Sequence, residues 1–307
     1  MIHLRLVVPF ATTEAVVSYL RNDPRVAHVV LLAGSGVQPA GDVVLCDVAR
    51  EAATDVLARL RSLGAADAVA MEQVDATSSP FADRAERMAP GAPDDAIVWD
   101  MVLHRAKADA RSSWSYYAFL VLATTIAAIA VITDSSILVV GAMVVGPEFG
   151  PVAAVAVGLV LRHRPLLLGS LRLLVLGFAA AIAVTAGLAL LAHAAGWVQP
   201  ADLQDARPLT GFIWKPDRWS LVVALLAGAA GVLSLTAGRA SALVGVFISV
   251  TTVPAAGNLS LALALRVPDE IGGAAAQLGI NLTGMIIAGT VVLTIQRILT
   301  RDLPVRP

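Results

Sequence analysis

The stretch from Asp134 to Pro151, DSSILVVGAMVVGPEFGP, decides the fold, because it places two prolines, three glycines and a carboxylate inside an apolar segment long enough to cross a bilayer. Pro147 lacks an N–H and collides with the carbonyl one turn back, so we expect the helix to break there. Glu148 falls near the middle of the segment, where a charged carboxylate costs at least about 2.5–3.5 kcal/mol. The stretch therefore predicts a broken membrane helix, with Glu148 facing protein or a watery cavity.

The composition of the whole chain indicates an integral membrane protein. Of its 307 residues, 57% are apolar and only 15% are charged, with a mean hydropathy of +0.77. Ordinary soluble domains are about 45–50% apolar and about 25% charged. Residues 1–113 carry a normal load of charge, whereas residues 115–299 contain long apolar runs. We therefore expect one soluble domain and one membrane domain.

Several classes of feature are missing from the sequence. The net charge of −1 gives no sign of a nucleic-acid partner. The single cysteine, Cys46, excludes an internal disulfide, and the N-terminus MIHLRLVVPF has neither the long apolar core nor the cleavage site of a signal peptide. No metal-spaced cluster, phosphate loop or nucleophile–base pair occurs, so enzymatic action is the least supported class and no cofactor is identified.

Residues 1–75 alternate between strand-like and helix-like patterns in the order β-α-β-β-α-β. This order predicts a ferredoxin-like α+β domain, a plan that serves both assembly platforms and small-molecule regulatory domains. His3, His28 and Cys46 stand apart from any motif, and we interpret all three as structural. Residues 76–96, rich in Pro, Ala, Ser and Asp, are typical of a linker.

The region that connects the two domains continues after this linker to residue 113, and its last part is predicted to form an amphipathic helix. The membrane domain is predicted at residues 114–307. A solvated connecting helix would fit the same periodicity. Six apolar segments follow, each able to span about 30 Å: 114–133, 136–161, 166–192, 219–238, 240–265 and 272–299. Basic residues gather at alternate ends of these segments, which predicts cytoplasmic N- and C-termini in a bacterial plasma (inner) membrane and a long outer loop at 193–218.

An internal repeat is suggested by SALVGVFISVTTVPAAGN, Ser241 to Asn258, which parallels SILVVGAMVVGPEFGP, Ser136 to Pro151. In this alignment Glu148 and Asn258 are rough counterparts. Two three-helix repeats of opposite orientation, with interrupted second and fifth spans, are typical of transporters with a midplane site. The alternative is that the glycines and prolines only let helices approach or kink. The predicted helix-break residues are Gly146, Pro147, Gly150, Pro151, Pro254 and Gly257.

These residues also carry a resemblance to a known family. The chain resembles the bacterial and archaeal membrane family called domain of unknown function 389, in its actinobacterial form. The resemblance rests on TDSSILVVGAMVVGPEFGPVAAVAVGLV at Thr133 to Val160, on SALVGVFISVTTVPAAGN, and on GDVVLCDVARE followed by DDAIVWD. The resemblance covers nearly the whole chain. It implies a multipass architecture, but the family has no established activity or substrate, so no catalytic residue is carried over.

Glu148 is the first candidate for function, as a group that handles protons or cations. Thr251, Thr252 and Asn258 could ligate an ion or a polar solute through oxygen atoms, and Asn281 is a similar candidate in the last span. Hydrogen bonding between helices would explain these residues equally well. Asp134 is predicted to cap the following helix.

Taken together, the sequence predicts a transporter that moves a small solute or ion across a lipid bilayer. The alternatives are a membrane-anchored sensor or scaffold, or a channel gated by the N-terminal domain. Glycine-rich faces at Gly228, Gly231 and Gly238 and at Gly279, Gly284 and Gly289 could support close contacts within or between subunits, and we expect a homo-oligomer.

Overall fold

A computed structural model of the chain describes residues 1–65, 67–74, 77–89, 91, 96–237 and 250–301. The chain divides into two compact units, Met1–Val102 and Leu103–Gln296, the first also taking the C-terminal end from Arg297. The first contains a small antiparallel sheet, and the second is helical.

The sheet has four antiparallel strands in the order β2-β3-β1-β4. Strand β1 (Ile2–Val8) is followed by α1 (Thr13–Asn22), β2 (Val26–Val37), β3 (Ala40–Val48), α2 (Ala53–Ser62) and β4 (Val69–Gln73). A short 3-10 turn, Arg50–Ala52, precedes α2. The strands and helices thus follow one another in the order that the sequence pattern predicts.

Period-two patterning explains the core of this unit. Alternate residues of β1 point to one face of the sheet, and Ile2, Leu4, Leu6 and Val8 are fully buried. Helices α1 and α2 cover that face with apolar residues at helical spacing. Their buried members include Val16, Leu20, Val56, Leu57 and Leu60.

The predicted linker contains a helix, α3 (Pro80–Met88). Ser79 caps it by accepting a hydrogen bond from the Phe81 amide, and Pro80 occupies the first helical position, where no N–H is required. Ala82 and Ala85 are buried in the core of the first unit. The region predicted as a linker thus contains a helix, because its small alanines provide an apolar stripe that composition alone does not reveal. Helix α4 (Trp99–Asp109) follows.

Within the described residues of the second unit, four helices are long and apolar enough to cross a membrane: α5 (Trp114–Ile132), α8 (Arg164–Ala194), α10 (Arg218–Ala237) and α12 (Pro268–Arg301). Helices α6 (Ser136–Val145) and α7 (Phe149–Val160) form a bent pair that gives up to a fifth span. The protein is thus a multi-pass membrane protein. The predicted span 240–265 is described only from residue 250, and its described helix is α11 (Thr252–Leu265). A short helix α9 (Pro200–Gln204) and a 3-10 turn, Gly211–Trp214, lie in the long loop.

Helix α11 lies at the core of the second unit, since 13 of its 14 residues are buried. Small residues permit this packing. A Cβ added at Gly257 would lie 2.8 Å from both Ala127 Cβ and the Ala128 nitrogen, so α11 can approach α5 closely only with glycine there. A Cβ added at Gly228 would overlap the Met285 backbone, and one added at Gly284 would lie 2.8 Å from Ala224 Cβ. These glycines therefore make contacts within the chain.

Candidate functional site

The interruption between α6 and α7 is produced by Pro147. Gly146 ends α6 with φ −65° and ψ 127°, the extended conformation that a following proline favours. Glu148 then occupies the N-cap position of α7, and the two helices are bent by 52°. The predicted break at Gly146 and Pro147 is observed. Gly150 and Pro151 lie just beyond it, in the first turn of α7, where proline is tolerated.

Glu148 is buried in this break. Glu148 is 7% exposed, and its Oε2 has no hydrogen-bond partner within the described part of the chain. A Cβ added at Gly146 would collide with this oxygen and would lie 2.7 Å from Val253 Cγ2 of α11. The break therefore lies against the beginning of α11, with the carboxylate folded over Gly146. A buried carboxylate with one unpartnered oxygen is costly, which makes Glu148 a candidate for ion or proton binding.

The beginning of α11 differs from the prediction in its register. Thr251 occupies the N-cap position and Pro254 is the third helical residue, where its missing N–H costs nothing. Pro254 thus lies in the first turn of α11, as Pro151 does in α7, and Gly257 lies inside α11, where it permits close packing. The predicted fifth span lies outside the described residues before residue 250, so its interruption stays a prediction. Counted from the helix starts, Thr251 corresponds to Glu148, and Pro254 to Pro151. Asn258 lies seven positions beyond the cap, so a count from the helix starts makes Thr251, and not Asn258, the counterpart of Glu148.

Thr251 is joined to α12 by a compact polar cluster. Its Oγ1 accepts hydrogen bonds from Gln277 Nε2 and Asn281 Nδ2, each at 3.0 Å. Gln277 and Asn281 are both 2% exposed, and among the described residues Gln277 Oε1 has no partner. Thr252, next to the cluster in sequence, is fully buried, and its Oγ1 has no hydrogen-bond partner in the described part of the chain. The structure thus brings together two predicted residues, Thr251 and Asn281, with Gln277.

A cavity of about 260 Å³ leads to this cluster. Its deep end is formed by Val250, Thr251, Gln277 and Asn281, which are buried or half-buried. Its other lining residues come from the loop and from the beginning of α10, and most of them are exposed: Phe212, Lys215, Asp217, Trp219, Ser220 and Val223. The cavity therefore extends from the protein surface to the amide–hydroxyl cluster.

Asn258 belongs to a separate buried network. Its Oδ1 accepts a hydrogen bond from Arg207 Nη1 at 3.1 Å, and its Nδ2 donates to Glu270 Oε2 at 2.8 Å. Arg207 Nη2 also forms an ion pair with Glu270 Oε1. The three residues are at most 9% exposed. The network joins the long loop to α11 and α12 and satisfies each charge, as burial requires.

The long loop is held at a second point by Asp134, at the end of α5. Its carboxylate accepts hydrogen bonds from the Leu209 amide at 3.2 Å and from Thr210 Oγ1 at 2.8 Å. The helix cap of α6 is instead Ser135, whose Oγ accepts from the Leu138 amide. The prediction that Asp134 caps α6 was therefore wrong, because its backbone turns away with φ 44°.

Arg207, Glu270 and Gln277 were absent from the predicted site. For Gln277 a signal was available, since it precedes Asn281 by four residues and so lies on the same face of an apolar helix. Glu270 gave a weaker signal, as a carboxylate in the first turn of α12. Arg207 gave none, because an arginine in a loop is normally solvated.

The N-terminal unit contains a polar chain that the sequence did not predict. His3 Nδ1 and His28 Nδ1 contact the two Asp47 oxygens at 2.7 and 2.6 Å, and His28 Nε2 contacts Ser79 Oγ at 2.7 Å. The order serine, histidine, aspartate is that of a hydrolase triad. Here Ser79 Oγ already accepts a hydrogen bond from the Phe81 amide and thereby caps α3. We interpret this series of hydrogen bonds as a link that holds α3 against the sheet. The two histidines are therefore interpreted as structural residues.

Fold and site together define a multi-pass membrane protein with an interrupted helix, α6–α7, and a polar cluster at the beginning of α11. Residues 143–287, which include both, match the family model described as domain of unknown function (DUF389). The resemblance seen in the sequence is thus confirmed over residues 143–287, which match the domain of this family.

The chain is similar to the uncharacterized protein MJ0678 of Methanocaldococcus jannaschii. It is 30% identical over 135 residues, which are 44% of this chain and 39% of the relative. The chain therefore matches well under half of that protein's length. No solved structure matches the chain.

Proposed function

We propose that this protein is a carrier that moves a small polar solute or ion across the membrane, with the solute bound where the α6–α7 break meets the beginning of α11. The observation that carries the proposal is the cavity of about 260 Å³ ending on Thr251, Gln277 and Asn281. Interrupted helices near the midplane supply free backbone groups, which is how many secondary transporters bind their solutes. Glu148 supplies the titratable group of the same region.

In this proposal Glu148 couples the solute to protons or cations. The Gly146–Val253 contact places its break against α11, and Val250 and Thr251, which directly precede α11, line the cavity. Changes of protonation or of a bound cation at Glu148 would alter that contact and hence the cavity. Two inverted repeats and a ferredoxin-like N-terminal domain belong to the same proposal, and the strand order β2-β3-β1-β4 supports the latter.

The test is flux in proteoliposomes. Full-length protein is reconstituted, and solid-supported-membrane currents are recorded across a panel of amino acids, polyols, carboxylates and monovalent cations. We expect at least one solute to give a current that Glu148→Gln abolishes while the protein still folds. Asp205→Asn, at an exposed loop carboxylate, is the control that should keep the current. Currents unchanged by Glu148→Gln would remove it from the coupling role.

The orientation proposed is N- and C-termini in the cytoplasm of a bacterium, with the loop 193–218 outside. A cysteine introduced as Gln204→Cys, exposed in that loop, should react with a membrane-impermeant maleimide in intact cells. Ser18→Cys, exposed in the N-terminal unit, should react only after lysis. The reverse pattern would invert the topology.

A second candidate function, ligand sensing, rests on a cavity of about 620 Å³ in the N-terminal unit. Tyr19, Asn22, Arg25 and Arg59 contribute polar groups to its wall. A sensor, scaffold or gated channel would depend on this unit and tolerate Glu148→Gln. Deleting residues 1–75 should then destroy ligand or partner binding, and binding that survived the deletion would count against this role.

A further inference from the structure

The beginning of α8 carries cations that lack an acidic partner. Arg162 lies in the turn between α7 and α8, Arg164 is the first residue of α8, and Arg172 follows about two turns later. All three are exposed, and none of them forms an ion pair with another described residue. Residues 149–201 contain no Asp or Glu. This end of the helix therefore has an uncompensated positive charge.

The length of α8 places Arg172 at the surface of the bilayer. With 31 residues at about 1.5 Å each, the helix is about 46 Å long, whereas the hydrocarbon core is about 30 Å thick. Residues 173–192 contain no charged side chain, and such a run matches the roughly 20 apolar residues that a span requires. Arg172 lies directly before this run and thus just outside the core.

Helix α5 indicates the same level independently. Its 19 residues match the thickness of the core, so its beginning marks one edge of the core. A Cβ added at Gly177 of α8 would lie 2.8 Å from Tyr116 Cε1 of α5, and further along Thr125 bonds to Thr185, so the two helices run parallel. Arg172 precedes Gly177 by about 7.5 Å along the helix. Both counts place Arg172 in the headgroup layer, which is about 5–7 Å thick on each side.

The side chains next to Arg172 on the outer face of α8 are apolar. Leu171, Val175 and Leu176 are 38%, 67% and 44% exposed, while the opposite face of the helix is buried. A cation within an exposed apolar surface is typical of a helix face that lies at the boundary between headgroups and acyl chains. A guanidinium at this level can bind a lipid phosphate through two parallel hydrogen bonds.

We propose that this face of α8 binds an anionic phospholipid, with the lipid phosphate at the Arg172 guanidinium and an acyl chain along Val175 and Leu176. Arg162 and Arg164 lie further from the core, and their charge favours an anionic headgroup over a zwitterionic one. The lipid site goes beyond the proposed carrier function and does not depend on it, because lipid binding is measured without flux.

Native mass spectrometry of the full-length protein, in detergent with added lipid, tests the binding. The probes are phosphatidylglycerol and phosphatidylcholine with identical acyl chains. We expect phosphatidylglycerol to bind about fivefold or more tightly than phosphatidylcholine. Arg172→Gln should weaken phosphatidylglycerol binding about tenfold, the loss of a charge-assisted hydrogen bond. Arg172→Lys should recover part of this loss, because lysine keeps the charge but not the planar fork. Equal affinity for the two lipids would overturn the proposal.

Arg218→Gln is the matched control, since Arg218 is also an exposed arginine at the beginning of an apolar helix but lies beside Trp219. It should leave phosphatidylglycerol binding unchanged. Equal losses in Arg172→Gln and Arg218→Gln would mean unspecific attraction and would overturn the site. Excess inorganic phosphate should not displace the lipid, and displacement would show that the site takes the free ion. If the wild type binds no lipid but forms dimers that Arg172→Gln dissociates, this face is a contact between copies and the proposal fails.

Spin labels measure the depth of this face without reference to lipid affinity. Arg164→Cys, Arg172→Cys and Leu176→Cys are labelled in a Cys46→Ala background in lipid nanodiscs, and collisions with oxygen and with a water-soluble nickel complex give the depth of each label. We expect the label at 176 among the acyl chains, the label at 172 at the phosphates and the label at 164 in water. A label at 172 that is as accessible to nickel as the label at 164 would place Arg172 in water and overturn the proposal.

Discussion

Arg207 and Glu270 form a buried ion pair that closes a chain segment of 63 residues, and the Asn258 amide bonds to both partners. The pair attaches the long loop to the first turn of α12. The 3-10 turn Gly211–Trp214, further along the loop, packs against Gly273 of the same helix. Because the loop also lines the cavity of the membrane unit, this network fixes the cavity's exposed wall.

Arg207→Met should destabilise the protein by about 3–5 kcal/mol, because it leaves Glu270 buried without a countercharge. Replacing both residues, as Arg207→Met with Glu270→Leu, should cost less than the sum of the single changes. Thermal unfolding in detergent, followed by tryptophan fluorescence, measures both. Arg218→Met, at an exposed cation beside Trp219, is the control and should shift stability by less than about 0.5 kcal/mol. Additive losses would show that the ion pair does not couple the two residues.

Gly146→Ala should disrupt the break, because the new Cβ would collide with Glu148 Oε2 and crowd Val253. We expect a loss of flux and a lower unfolding temperature. Gly141→Ala, five residues earlier, is the matched control, since nothing lies within 4 Å of a Cβ added there. It lies inside α6, where alanine is favoured over glycine by roughly 0.5–1 kcal/mol. Equal behaviour of the two variants would contradict the close contact at the break.

Asp47 should make the N-terminal unit sensitive to acid. Burial raises the pKa of this carboxyl, but the hydrogen bonds to His28 and His3 outweigh burial and lower the pKa below its usual range. Ionised Asp47 therefore stabilises the native state above its unfolded pKa of about 3.9, and the contribution disappears as the pH falls through the lower native pKa.

Hydrogen exchange of β3 peptides in the full-length protein measures this effect, after correction for intrinsic exchange rates. Between pH 6 and pH 3, wild-type protection should fall more steeply than that of Asp47→Asn. Asp67→Asn, at an exposed carboxylate, should follow the wild type. A parallel pH profile for wild type and Asp47→Asn would remove Asp47 from the acid response.

Cys46 should be inert in the folded protein. It is fully buried in β3, and burial, with the adjacent Asp47 charge, raises the pKa of its thiol to about 12. The thiolate that reacts with maleimide is therefore scarce at pH 8. Mass spectrometry should show labelling only after denaturation, whereas the exposed Ser18→Cys should be labelled in the native state. Rapid native labelling of Cys46 would mean that the sheet opens.

The sequence by itself determined the features whose causes are local. Pro147 breaks the helix because of its own missing N–H and ring, and the preceding Gly146 adopts the extended conformation for the same steric reason. The order of strands and helices in the first 75 residues follows from apolar periodicity. The membrane character follows from hydropathy summed over segments of about 20 residues.

Tertiary structure alone decided the partners of the polar residues. Thr251 and Gln277 are 26 residues apart in sequence, and Arg207 and Glu270 are 63 apart. Periodicity tells which face of a helix carries a polar group, but which neighbour it meets depends on helix packing and on the path of the loop. Packing therefore decided that Asn258 bonds to Arg207 and Glu270. It also placed Gln277, which the motifs did not single out, at the centre of the candidate site.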